Sequence, residues 1–196
     1  EISWRYDLTA TQAFITKDNI NGLITDAGFS GEVGILSIDV DGNDYWIWDA
    51  IDKISPHLVI VEYNAIFGDI RALTVPYRKD FVRTKSHFSN LYFGASAKAL
   101  TLVGERKGYT LLGSNLNGNN LFFIRNDKAI NILKKIKDTY PCMSRFREAR
   151  DLQGELTLAR RNSALETIGE MSVLDIETGN ECVIKSLGNL FSDKWK

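Results

Sequence analysis

Apolar residues first fall into a helical period at Ile20, Leu23, Ile24 and Ala27, spaced i, i+3, i+4, i+7. Thr16 or Asp18 stands where an N-cap belongs, and Gly28 stands where a helix stops. Ahead of this helix, Ala13 to Ile15 read as a short strand. The period then gives way to VGILSIDV (33–40), an apolar run too continuous to alternate, which predicts a strand buried on both faces. DGND turns the chain into a second helix with Ile47, Ala50, Ile51 and Ile54 on one face, closed by Pro56. HLVIVEYN (57–64) predicts another doubly buried strand. Strand, helix and strand in about 30 residues predict a parallel βαβ unit with a right-handed crossover.

Residues 65–93 carry Gly68, Pro76 and several aromatics without a sustained period, and a connection of that length is usually functional or mobile. A helix over 95–107 follows, with Ala99, Leu102 and Val103 inward and Gly108 as its stop. YTLLG (109–113) and NLFFIRN (120–126) flank SNLNGN and predict a hairpin. After Asp127 the composition shifts, which divides the chain into 1–127 and 128–196. The second part reads as a basic helix over 128–139, a break at Pro141, and five arginines (Arg145, Arg147, Arg150, Arg160, Arg161) matched by Glu148, Asp151 and Glu155 as on a solvated, salt-bridged helix. VLDIE and ECVIK around Thr178-Gly179-Asn180 predict a small hairpin.

Composition narrows the classes. The 196 residues are 44% hydrophobic and 25% charged with a net charge of -1, so a folded core is expected and a polyanion binder such as a nucleic-acid protein is not. No apolar run reaches the roughly 18 residues of a membrane span. Cys142 and Cys182 make no disulfide framework, and a reducing cytoplasm is the expectation.

Candidate chemistry gathers where the two apolar strands end. Ligands in open α/β sheets bind beyond the carboxyl ends of strands. There the first strand presents Asp39, Asp41, Asn43 and Asp44, and the second Glu62, Tyr63 and Asn64. Asp39 and Asp41 are the best-placed carboxylates for a base, Gly42 lets the chain turn close to a ligand, and Asp44 suits an N-cap. Tyr92, Gly94, Ala95 and Ser96 open a helix at the same edge, where free N–H groups or ordinary capping are both open readings. His87, in the long connection, is a further base candidate, whereas His57 reads as structural. DVDGND fails as a calcium loop, because Gly42 is at the fourth position and Ala50 at the twelfth.

LSIDVDGNDYWIWDAI, LVIVEYN, GASAKAL and KGYTLLGSNLNGNNLFFIRND together resemble the C-terminal half of a class I S-adenosylmethionine-dependent methyltransferase, nearest the FkbM-like group, over residues 13–127. The resemblance implies a Rossmann-like three-layer α/β sandwich, mostly parallel, with a C-terminal antiparallel strand. It implies methyl transfer from S-adenosylmethionine to a hydroxyl of a small molecule or carbohydrate. Asp39, Gly42 and Tyr45 would then meet the cofactor, Glu62, Asn64, Tyr92 and Ser96 the acceptor, and Asp39, Asp41 and His87 would be catalytic. The family's glycine-rich turn and ribose carboxylate do not precede Asp39. The N-terminal strands are therefore expected to be missing from this chain, leaving it inactive alone, with an open sheet edge suited to self-association. A non-catalytic domain acting through a partner is the alternative. Catechol-type relatives hold magnesium with an adjacent Asp-Asn pair. Glu62-Tyr63-Asn64 departs from that pair, so a divalent metal is the minor reading and no metal ligand is assigned.

Overall fold

The computed structural model describes residues 7–136 and 140–195. Its main sheet runs in the order β1 (Gly31–Ile38), β2 (Ile54–Glu62), β5 (Asn120–Arg125), β4 (Tyr109–Ser114). Only β1 and β2 pair in parallel; β2–β5 and β4–β5 are antiparallel. This overturns the mostly parallel, three-layer Rossmann-like sandwich that the resemblance implied. The cause is the short SNLNGN connection. It cannot carry a crossover, so β5 returns against β4 and inserts between β4 and β2, which makes both of its pairings antiparallel. A second, wholly antiparallel sheet joins β3 (Leu73–Thr74), β6 (Ser172–Asp175) and β7 (Glu181–Val183). Residues on both sides of position 127 therefore share one small sheet.

Helices α1 (Ile20–Asp26), α2 (Asp44–Ala50) and α4 (Ala97–Arg106) touch in succession over the face of the main sheet that carries Val59, Val61, Leu121 and Phe123. Trp48 of α2 meets Phe123 at 4.7 Å between ring centroids, and both rings are fully enclosed. Burying a side chain of this size is worth about 1.5–3 kcal/mol. Ser96 caps α4 by accepting the Ala99 N–H at 3.1 Å. A second core, around Phe67, Leu73, Phe93, Ile168, Val173 and Leu190, lies under the small sheet.

Several expectations need correction. β1 is not buried on both faces: Ile35 is 65% exposed, because the three helices cover one face only. Pro56 lies inside β2 near its start, with Ile54 already paired to Gly31, so α2 stops at Ala50 instead of running on to Pro56. Residues 13–15 form no strand. The 65–93 connection is partly ordered, as a 3-10 turn (Ala65–Phe67), β3 and α3 (Arg83–Ser86). The basic helix is α5 (Asn126–Leu133), and the end of its expected span, 137–139, falls outside the described residues.

The arginine-rich stretch is not a helix before α6 (Arg161–Thr167). Asp151 draws the Gln153 and Glu155 N–H groups onto its own carboxylate, and Leu158 adopts φ of 56°, which the interior of an α-helix does not accommodate. Among the described residues, no helix is long and apolar enough to cross a membrane.

Candidate functional site

The parallel pairing of β1 and β2 brings their carboxyl ends side by side, with Ile38 opposite Val61. Asp39 and Asp41 follow one strand and Glu62 ends the other, and one carboxylate oxygen from each lies within 4.8 Å of the other two. Asp39 and Asp41 are exposed, whereas Glu62 is 8% exposed. Glu62 Oε2 has no hydrogen-bond partner among the described residues. Burial, reinforced by the nearby Asp44 and Asp39 charges, pushes the Glu62 carboxyl up to about 8. Burial and the Asp41 charge also raise Asp39, against the pull of Arg83. Three oxygen donors this close are the residues that could hold a hard divalent cation.

Local backbone explains the arrangement. Asp41 takes φ of 53° and Gly42 of 149°, so the chain doubles back sharply after β1. Asp44 lies inside this turn, fully buried, and accepts N–H bonds from Val40 at 3.0 Å and Gly42 at 2.9 Å. Burial raises it to about 6. It ties the turn, while Asn43 occupies the cap position of α2.

Arg83, the first residue of α3, closes the cluster from the far side. Its guanidinium lies 3.6 Å over the Phe93 ring, reaches Asp41 at 3.4 Å and Glu148 at 2.6 Å, and donates to the Asn90 carbonyl at 2.9 Å. Glu62 and Arg83 then form one end of a cavity of about 180 Å³ whose other walls include Arg147, Arg160, Arg161 and Trp195. A wider recess of about 370 Å³ lies on the Asp39–Asp41 side of Arg83.

The remaining expected residues are placed as follows. Asn64 lines the cavity, but its side chain clamps the loop: Nδ2 donates to the Leu91 and Phe93 carbonyls at 2.9 Å, and Oδ1 accepts the Ile66 N–H at 3.0 Å. Ser96 is enclosed, donating to the Arg71 carbonyl at 2.9 Å and accepting the Leu73 N–H at 3.0 Å besides its cap bond. The Tyr92 hydroxyl donates to the Ser172 carbonyl at 2.5 Å, and burial pushes it up to about 12. His87 pairs with Ser89 Oγ at 2.7 Å, burial lowers it, and it lines none of the cavities above. Tyr45 is buried, edge-on to Trp46 at 5.0 Å.

S-adenosylmethionine needs a close glycine turn for its body and a carboxylate for its ribose hydroxyls. The described residues meet these needs only in part: Asp39 and Asp41 offer carboxylates at the recess, but the space beside Gly42 that a Cβ would enter is filled by the Phe81 ring, and Tyr45 is buried edge-on to Trp46. Sequence reading missed Arg83, Glu148 and Trp195. Arg83 sits in an aperiodic loop and Glu148 in an irregular segment, and neither carries a pattern that announces a contact to a strand end.

No protein-family model, curated protein or solved structure matches this chain.

Proposed function

We propose that the cavity at the end of β2 binds a small hydroxylated acceptor and that Glu62 takes the proton from the acceptor hydroxyl, leaving its oxygen free to attack. The resemblance names the reaction as methyl transfer to that oxygen. One observation carries the reading: Glu62 is a buried carboxyl whose Oε2 has no hydrogen-bond partner among the described residues, it lines a cavity, and burial pushes it up to about 8, near the pH at which a base serves best. Arg83 lies at the same end of the cavity, held by Asp41, Glu148 and the Phe93 ring. Asn64 holds the loop that shapes the wall.

The test is methyl transfer to a panel of sugars and phenols in the presence of S-adenosylmethionine. Glu62→Gln is expected to lower kcat by about 10²- to 10⁴-fold and to remove the limb of the pH profile near 8. An unchanged rate and profile would exclude Glu62 as the base.

A second reading, a non-catalytic domain acting through a partner copy, is favoured by the open outer edge of β1 and by exposed Ile35. In that case sedimentation shows association that Ile35→Lys abolishes, and no acceptor is turned over.

A further inference from the structure

The described arginines divide into two sets. Arg71, Arg78, Arg83, Arg106 and Arg125 each make an ion pair with a carboxylate. Arg145, Arg147, Arg150, Arg160 and Arg161 make none among the described residues, although Glu148, Asp151 and Glu155 lie in the same stretch. Two of the three acids are occupied elsewhere: Glu148 pairs with Arg83 at 2.6 Å, and Asp151 Oδ1 accepts two backbone N–H groups at 2.9 Å. The salt-bridged face expected from the sequence is therefore absent among the described residues.

Three of these unpaired arginines, Arg147, Arg160 and Arg161, line the cavity that ends on Glu62. Two of them are positioned without being neutralised. Arg147 donates to the Ser144 and Phe146 carbonyls at 3.0 and 2.7 Å, both through one nitrogen. Arg161 donates to Met143 Sδ at 2.7 Å and to the Trp195 carbonyl at 3.3 Å. A guanidinium has five N–H donors, so each keeps donors free. Against four arginines the lining sets two carboxylates, and of these Glu148 is offset by Arg83. Phe93, Phe146 and Trp195 supply apolar and aromatic surface between the charged ends.

We propose that this cavity binds a small molecule carrying an oxyanion, a phosphate monoester or a carboxylate, with the oxyanion on Arg147, Arg160 and Arg161 and the apolar body against Phe146 and Trp195. This deepens the acceptor reading above and rests on it for one detail only, that the ligand's hydroxyl end lies toward Glu62. Planar guanidinium groups match phosphate and carboxylate oxygens two at a time, and cavity walls of low polarity strengthen the attraction. A volume of about 180 Å³ restricts the ligand to roughly the size of one ring with one charged substituent.

Calorimetry on the full chain at pH 7 with phenyl phosphate, benzoate and phenol separates the possibilities. The expected result is that phenyl phosphate or benzoate binds at least tenfold more tightly than phenol. Arg147→Gln and Arg161→Gln should each weaken that binding tenfold or more, Arg147→Lys should restore part of it, and Arg145→Gln, outside the lining, should leave it unchanged. Phosphate preferred over carboxylate identifies a phosphorylated ligand, and the reverse a carboxylated one. Thermal midpoints confirm that each variant is folded. Equal binding of phenol and the anions, or the same loss from Arg145→Gln as from Arg161→Gln, overturns the proposal. So does a single-stranded oligonucleotide that binds more tightly than either anion and depends on all five arginines. Glu62→Gln keeps the two readings apart: anion binding that survives it, with no turnover in wild type, sinks the acceptor reading and leaves the oxyanion site standing.

Discussion

One wall of the cavity hangs from β2, and the other is the segment from Pro141 to Arg161. The first is regular backbone. Glu62 ends a strand paired on both sides, and the cluster it joins is acidic. The second is irregular, basic and held by capture of single groups: Cys142 N–H donates to Ser114 Oγ at 3.0 Å, Arg145 N–H to the Asn117 carbonyl at 2.9 Å, and Thr157 N–H to the Ala149 carbonyl at 2.8 Å. The first wall fixes where chemistry sits, since strand ends cannot drift. The second is free to vary in sequence without disturbing a hydrogen-bond ladder, which suits a wall that selects a ligand.

The contrast can be broken most directly at the cores. Phe123, enclosed behind the strand wall and packed against Trp48, should cost about 3–5 kcal/mol on truncation to alanine. Phe146, on the other wall and 47% exposed, should cost under about 1 kcal/mol on the same change. Urea unfolding of the two variants measures the difference. Equal losses would mean that the irregular wall is as integral to the folded core as the strands.

The pH response sharpens the comparison next. The carboxyl of Glu62 sits at about 8 when folded, above its ordinary value of 4.5. The folded state therefore holds a proton that the unfolded state has lost. The stability tied to this proton is complete below 4.5 and falls as pH rises to about 8. Glu62→Gln has no proton to lose, so it should be more stable than wild type at pH 9 by about 2–4 kcal/mol and nearly equal at pH 4. Melting curves at both pH values test this, and parallel loss in the two proteins would deny that Glu62 is buried as a carboxyl.

These walls also differ in how far residue order alone discloses them. The acidic wall was legible because strand ends obey a spacing: apolar runs at 33–40 and 57–64 place Asp39, Asp41 and Glu62 at one edge whatever the rest of the chain does. The hairpin of β4 and β5 was legible from SNLNGN in the same way. Sheet order was not, since nothing in the local pattern of β5 states that it inserts between β2 and β4. The basic wall was misread because charge balance along the sequence does not say which charges meet: Glu148 leaves its neighbours to pair with Arg83, 65 positions earlier. Asn64 and Ser96 looked like ligand groups and are structural clamps, because only the fold reveals that their polar atoms are already used.

The seam between the walls offers the smallest and most local test. Gly118, in the hairpin loop, has φ of 69°, and a Cβ there would overlap the Met143 carbonyl oxygen at the start of the basic wall. Gly118→Ala must both strain the backbone and push the 142–145 stretch away, which should cost about 1–2 kcal/mol. The strand wall does not depend on that contact, so the pH-dependent difference produced by Glu62→Gln should persist in the Gly118→Ala background. Binding of phenyl phosphate should weaken, because Arg147 and Arg161 take their positions from Ser144 and Met143. Loss of the Glu62 titration together with the anion binding would instead make the two walls a single cooperative unit, and the division between a fixed acidic side and an adaptable basic side would fail.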